Sequence, residues 1–212
     1  MPRNIEIKAR VPGIDALRPR AQALADGPPR LLEQDDTFFA APHGRLKLRT
    51  EGSCTGTVPG ELIHYERADA TTARASDYVR VPVADAGALR EALARGLGVT
   101  GRVRKQRWLL RAGQTRIHLD RVEGLGDFIE LEVVLREGQS DTEGTAIAQA
   151  LMQALGLADA PRLAGAYLDL LRAAGVSSAN FVPQAAATES GSSASAPSPP
   201  SARPDPGDPR CS

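Results

Sequence analysis

Apolar and polar residues alternate strictly over short runs along most of this chain. In segment 3–11, Asn4, Glu6, Lys8 and Arg10 share one face, and Ile5, Ile7, Ala9 and Val11 share the other. That period of two is the signature of a strand with two unlike faces. Arg45, Lys47 and Arg49 oppose Leu46 and Leu48; Arg116, His118 and Asp120 oppose Ile117 and Leu119; Glu130 and Glu132 oppose Ile129, Leu131, Val133 and Leu135. Strands are predicted at 3–11, 30–40, 45–51, 61–67, 76–83, 102–111, 115–122 and 127–136. Turn signals divide them at Ala41-Pro42-His43-Gly44, from Gly52 to Gly60, at Ala112-Gly113-Gln114 and at Gly124-Leu125-Gly126. Leu and Ala recur at helical spacing in 14–26, 85–97, 142–155 and 162–173, with Asp85 and Asp141 as candidate N-caps. Short hairpins imply antiparallel pairing, and eight such strands can close into a barrel that leaves no exposed edge. The predicted class is therefore α+β: a closed eight-stranded antiparallel barrel with helices packed outside.

The polar faces decide which way round that barrel is built. A sheet with one solvated face also alternates, but its outer face mixes Thr, Ser and Gln with charges. Here the polar faces are almost wholly ionic, and strands sort into cationic and anionic ones. Three lysines stand against 23 arginines, and Lys8, Lys47 and Lys105 each lie in an alternating segment. Lysine is a compact point charge and arginine a rigid fork, so the two together suit a chain of phosphates. With the charged faces turned inward, the lining cations are Lys8, Lys47, Arg49, Arg67, Lys105, Arg107 and Arg116. An uncompensated buried charge costs several kcal/mol, so a cationic surplus inside a barrel calls for an anionic guest. An apolar-ligand carrier would need Leu46 and Ile117 inside and Lys47 outside, against this pattern.

The carboxylates supply the second half of the chemistry. Glu130 and Glu132 are two residues apart on one strand, so their Cα atoms lie about 6.6–6.8 Å apart and their side chains point the same way. With a carboxylate from a neighbouring strand they suit one hard cation, Mg²⁺ or Mn²⁺, because every ligand is oxygen.

Ordered motifs carry a family resemblance. Asn4-Ile5-Glu6-Ile7-Lys8 resembles the Glu-x-Glu-x-Lys signature of the CYTH domain, the triphosphate tunnel metalloenzymes. Leu46-Lys47-Leu48-Arg49, Tyr65-Glu66-Arg67, Val103-Arg104-Lys105-Gln106-Arg107 and the run Arg116 to Val133 follow in family order, the last most similar to the class IV adenylyl cyclase branch. The resemblance spans nearly all of residues 3–171. It implies a tunnel whose interior binds a triphosphate through Lys8, Lys47, Arg49, Arg67, Lys105 and Arg107. It implies a metal held by Glu6, Glu130 and Glu132, and a position near the metal or nucleophile for Asp120, so Lys8 and Asp120 are the candidate catalytic residues. Asn4 departs from the signature: an amide replaces the first carboxylate, removing a negative charge and favouring one ion over two.

The activity this implies is metal-dependent conversion of ATP to cyclic AMP and pyrophosphate. Hydrolysis of a nucleoside, thiamine or inorganic triphosphate is one alternative, and a polyphosphate- or nucleotide-binding module without turnover is the other. The partner is a small-molecule triphosphate, ATP or another. A net charge of zero argues against a general nucleic-acid surface, and nothing opposes a homodimer. No stretch approaches 18 apolar residues, and Cys54 and Cys211 suggest neither disulfide nor metal site, so a soluble cytoplasmic protein is expected. Residues 1–174 make the domain, and 175–212, rich in Ala, Ser and Pro, make a disordered tail. Trp108 is expected to pack under a helix, His118 to be a base or a structural histidine, Tyr167 to plug a tunnel mouth or pack, and His43 to be solvated.

Overall fold

The computed structural model describes residues 3–52, 58–66 and 77–176, all within one unit, Met1–Val182. Arg67, Cys54, Cys211 and all but Gly175 and Val176 of the expected tail lie outside the described residues. The chain runs β1 (Asn4–Arg10), α1 (Ile14–Leu24), β2 (Arg30–Phe39), β3 (Arg45–Glu51), β4 (Gly60–Glu66), β5 (Asp77–Val83), α2 (Ala86–Leu97), β6 (Val99–Ala112), β7 (Thr115–Val122), β8 (Gly126–Val134), α3 (Asp141–Ala154) and α4 (Tyr167–Ala173). Eight strands form one antiparallel sheet in the order β1-β8-β7-β6-β2-β3-β4-β5.

The expected closed barrel is corrected to an open one: the sheet curls into a half-barrel, and no ladder among the described residues joins β1 to β5. Both edges have reasons to stay apart. The segment ahead of α4 lies along the free edge of β1, where Leu163 N donates to Lys8 O at 2.8 Å and Ala9 bridges Arg162. β5 carries Pro82, which has no amide hydrogen for a further ladder. The helix expected over 162–173 accordingly begins only at Tyr167.

The apolar faces turn outward under the helices, as the alternation predicts. Ile5, Ile7 and Ala9 of β1, Ile117 and Leu119 of β7, and Ile129, Leu131 and Val133 of β8 pack with Ile14 and Leu17 of α1 and Met152 of α3. Each such Ile or Leu contributes roughly 1.5–3 kcal/mol on full burial. The approach of α3 is tight: a Cβ on Gly144 would stand 2.8 Å from Ile5 and 2.5 Å from Leu135. α2 covers β2 and β3 through Leu89 and Leu93 over Phe39 and Leu48. Trp108 packs, half-buried, against the first of these clusters, with Arg18 of α1 5.6 Å from its ring centroid.

The helix starts follow local chemistry. Asp85 accepts from Ala88 N at 2.9 Å, as expected of an N-cap. At α3 the cap is Ser140, not Asp141: Glu143 N donates to Ser140 Oγ at 3.3 Å, and Ser140 N donates to Glu143 Oε2 at 2.8 Å. This capping box satisfies two backbone donors at once, which leaves Asp141 in the first turn, paired with Arg3. No described helix is long and apolar enough to cross a membrane.

Candidate functional site

The concave face of the half-barrel is a groove of about 440 Å³. Among the described residues nine cationic side chains line it against five carboxylates, so it carries a cationic surplus. Lys8 of β1, Lys47 and Arg49 of β3, Lys105 and Arg107 of β6, and Arg116 of β7 all face it. Strand alternation alone sets that orientation, since each lies on the side opposite the helix-covered residues.

Carboxylates buried at the groove floor hold these cations in two sets. Asp36, 2 % exposed, accepts from Lys47 Nζ at 2.9 Å and from Arg49 Nε and Nη2 at 2.7 and 2.8 Å. Asp120, fully buried, accepts a bidentate pair from Arg107 at 2.6 Å each and one hydrogen bond from the Tyr167 hydroxyl at 2.8 Å, with Lys105 Nζ at 3.8 Å. Burial would raise both carboxyl pKa values. Arg49 and Lys47 reverse that for Asp36, and Arg107 and Lys105 for Asp120, holding both groups below the ordinary carboxylate range. Asp120 thus lies behind the cations and anchors Arg107 and Lys105.

For the lysines burial prevails over the neighbouring carboxylates. Burial, reinforced by the Arg49 charge, lowers Lys47 to about 8; burial and Arg107 lower Lys105 to about 7. The Lys105 amine is therefore partly unprotonated near neutral pH and the Lys47 amine near pH 8, so both can gain protons when an anion enters.

The predicted metal carboxylates do not come together as one trio. Glu130 accepts from Arg107 at 2.9 Å and stands 3.3 Å from Lys8 and 3.4 Å from His118 Nδ1. Burial would raise its pKa, but Lys8, His118 and Arg107 keep it well below the usual range. Glu6 and Glu132 face each other across β1 and β8, and Asn4 Nδ2 donates to Glu132 and lies 3.5 Å from Glu6 Oε1. Among the described residues no three acidic, His or Cys side chains gather tightly enough to hold an ion. The donor chemistry nevertheless fits one hard cation at this corner. Asn4 is 5 % exposed, and its Oδ1 is buried with no hydrogen-bond partner, an amide oxygen beside two carboxylates.

His118 is buried, and burial with the Arg107 charge lowers its pKa, so it is held neutral beside Glu130. Tyr167 both packs and plugs: its ring stands 4.3 Å from Lys8 Nζ and 5.0 Å from Lys105 Nζ, and it forms part of the groove wall. Lys8 Nζ also donates to Gly165 O at 3.3 Å, and Arg45 pairs with Asp169 at 2.7 Å, so the α4 side closes one end. His43 lies exposed, its carbonyl 3.1 Å from His64 Nε2.

Sequence reasoning missed Asp36, Gln34, Leu32 and Arg80. β2 alternates Leu32, Gln34, Asp36 and Phe38 toward the groove. The adjacent Gln34-Asp35-Asp36 run makes both faces polar there, which hides the period. Asp35 faces out and pairs with Arg102.

A curled antiparallel sheet whose concave groove carries a cationic surplus over buried carboxylates defines an α+β protein with a groove suited in charge to an anionic ligand. The CYTH domain model matches residues 2–167, and the chain belongs to that family. The PH1012 protein of Pyrococcus horikoshii OT3 is similar at 27 % identity and a TM-score of 0.67, over 79 % of this chain and 98 % of that one. A conserved hypothetical protein from Pyrococcus furiosus is 23 % identical with a TM-score of 0.68, over 79 % and 99 %. A Hippeastrum protein, described as an adenylyl cyclase candidate with a dominant triphosphatase activity, is 14 % identical with a TM-score of 0.58, over 82 % and 96 %. The last two likenesses carry the fold alone. Among curated proteins none matches the sequence.

Proposed function

We propose that this chain is a metal-dependent enzyme that binds a triphosphate in the groove and breaks one of its phosphoanhydride bonds. The observation carrying this is the surplus of inward cations, six of them drawn from β1, β3, β6 and β7. Lys8, Lys47, Arg49, Lys105, Arg107 and Arg116 hold the phosphate oxygens, with Arg67 assigned to the same task by its motif. Positioning and charge neutralisation are most of what phosphoryl transfer requires. Asp36 and Asp120 keep the cations aimed, and Lys8 neutralises charge that develops as the bond breaks.

Asn4, Glu6 and Glu132 would hold Mg²⁺ or Mn²⁺, with Glu130 completing the family set if its cations exchange onto phosphate. Such an ion supplies charge neutralisation on the phosphate oxygens when bound. In the cyclase-like reaction the ribose 3′-oxygen attacks the α-phosphorus, its proton leaves, and pyrophosphate departs. In the hydrolytic reaction water attacks the terminal phosphorus, the diphosphate departs as the leaving group, and orthophosphate forms with release of a proton to solvent. The family resemblance, which takes in triphosphatases as well as cyclases, keeps hydrolysis as the second reaction. Asn4, an amide at a carboxylate position, supports a binding module as the other reading.

The test is a screen of ATP, GTP, thiamine triphosphate and inorganic triphosphate with Mg²⁺ and Mn²⁺, products identified by mass. Cyclic nucleotide with pyrophosphate marks the cyclase, and orthophosphate marks the hydrolase. Tight binding without turnover on all four removes the enzyme reading.

A further inference from the structure

Three apolar side chains, Leu32, Ile63 and Leu109, face the ionic groove instead of the helices. None of them belongs to the three apolar clusters formed by the described residues. Leu32 pairs in register with Arg107, and Leu109 with Arg30, so the two leucines are diagonal neighbours across β2 and β6. In a regular ladder such neighbours lie about 7–8 Å apart, close enough to touch one planar ring together.

Their place along the groove matters. α4 closes the end nearest Lys8, Lys105 and Tyr167. Leu109 lies four residues along β6 from Lys105, about 13 Å toward the other end, where Arg30 and Arg111 are exposed. A polar edge adjoins the patch. Gln34 is 4 % exposed, donates to Glu51 Oε1 at 2.6 Å, and leaves its own buried carbonyl with no hydrogen-bond partner. An unsatisfied buried acceptor costs about 1–3 kcal/mol unless something donates to it.

We infer that Leu32 and Leu109 form the subsite for the headgroup of a nucleoside triphosphate, with Gln34 and Glu51 taking its hydroxyl donors. This rests on the triphosphate reading above and narrows it. The substrate enters phosphates first, its terminal phosphate stopping near Lys105 and Lys8 and its uncharged base resting on the two leucines at the open end. Inorganic triphosphate has no apolar surface for these leucines and no donor for Gln34 beyond them. A cationic headgroup is disfavoured there by Arg30 and Arg111.

The experiment measures binding of ATP and of inorganic tripolyphosphate to the full chain by calorimetry, in the wild type, in the Leu32→Ser/Leu109→Ser double variant and in Leu109→Phe. Losing the apolar contact of two leucines is expected to weaken ATP about tenfold or more and to leave tripolyphosphate within about twofold, which also reports that the variant is folded. Leu109→Phe keeps an apolar contact and should hold ATP near the wild-type affinity. Equal losses for both ligands, or wild-type tripolyphosphate binding as tight as ATP, overturn the headgroup subsite and leave the triphosphate reading standing. Failure of the wild type to bind either ligand overturns both. Thiamine triphosphate binding tighter than ATP would overturn the assignment of an uncharged headgroup.

Discussion

The Tyr167 hydroxyl donates to Asp120 Oδ2 at 2.8 Å, so the last helix reaches the carboxylate that anchors Arg107 and Lys105. Three elements, α4, β6 and β7, thereby meet at one fully buried charge. Desolvation and the neighbouring Asp120 charge push the Tyr167 phenol well above its ordinary pKa, so it stays a donor across the physiological range.

Tyr167→Phe removes that donor while keeping the ring beside Lys8 and Lys105. A loss of about 1–2 kcal/mol in urea denaturation is expected. Tyr167→Ala also removes the packing on Phe128, 5.0 Å away between centroids, and should cost about 3–5 kcal/mol. Equal losses in the two variants would mean that packing carries nothing at this position.

Asp36→Asn strips the counter-charge from Lys47 and Arg49, both nearly buried. Breaking one side of a buried ion pair costs about 3–5 kcal/mol, so the variant should melt well below the wild type in phosphate-free buffer. Saturating tripolyphosphate restores the missing negative charge. It should raise the melting temperature of the variant more than that of the wild type. An equal ligand shift in both would place the phosphates away from Lys47 and Arg49.

Stability and affinity should move in opposite directions between pH 7 and 10. Lys47 and Lys105 hold folded-state values of about 8 and 7, while unfolded lysine titrates near 10.5. Over that window the unfolded chain binds more protons than the folded one, so unfolding free energy rises with pH. Asp36 and Asp120, lowered by their cations, are ionised throughout the window and add no slope. Around Lys105 stand Arg107, Arg49, Asp36, Asp120 and Tyr167, and none of these five reverses the sign. Tripolyphosphate affinity should fall over the same range, and binding near pH 8 should take up protons in buffers of differing ionisation enthalpy. Binding without proton uptake would exclude both lysines from the phosphate path.

Metal binding should separate the two glutamates of β8. Glu132→Gln removes a ligand at the Asn4 corner and should abolish Mn²⁺ binding read by electron paramagnetic resonance. Asn4→Asp adds a charge there and should tighten it. Glu130→Gln loses a carboxylate held by two buried cations, Lys8 and Arg107, whereas Glu132 meets a single, more exposed cation, Arg116, so Mn²⁺ affinity should change less than in Glu132→Gln. Greater damage from Glu130→Gln would put the ion at Glu130 instead.

Much of the strand framework was legible in the chain because β alternation is local. Lys8, Lys47, Lys105, Arg107, Glu130 and Glu132 could each be placed on the ionic face from their immediate neighbours, and each faces the groove. β2 was read as a strand, but not its facing, because charged Asp35 and Asp36 stand next to one another. Ser140 was overlooked as a cap because Asp141 also suits an N-terminal turn.

The sequence by itself determined which side chains share a face and that the ionic face could not be an apolar core. Only the tertiary structure decided that the barrel stays open, that Asp36 and Asp120 sit under the cations, and that α4 walls one end. Side-chain direction on a strand follows from the next residue or two. Partners such as Lys8 and Gly165, 157 positions apart, meet only once register and curvature have brought distant strands and the last helix together.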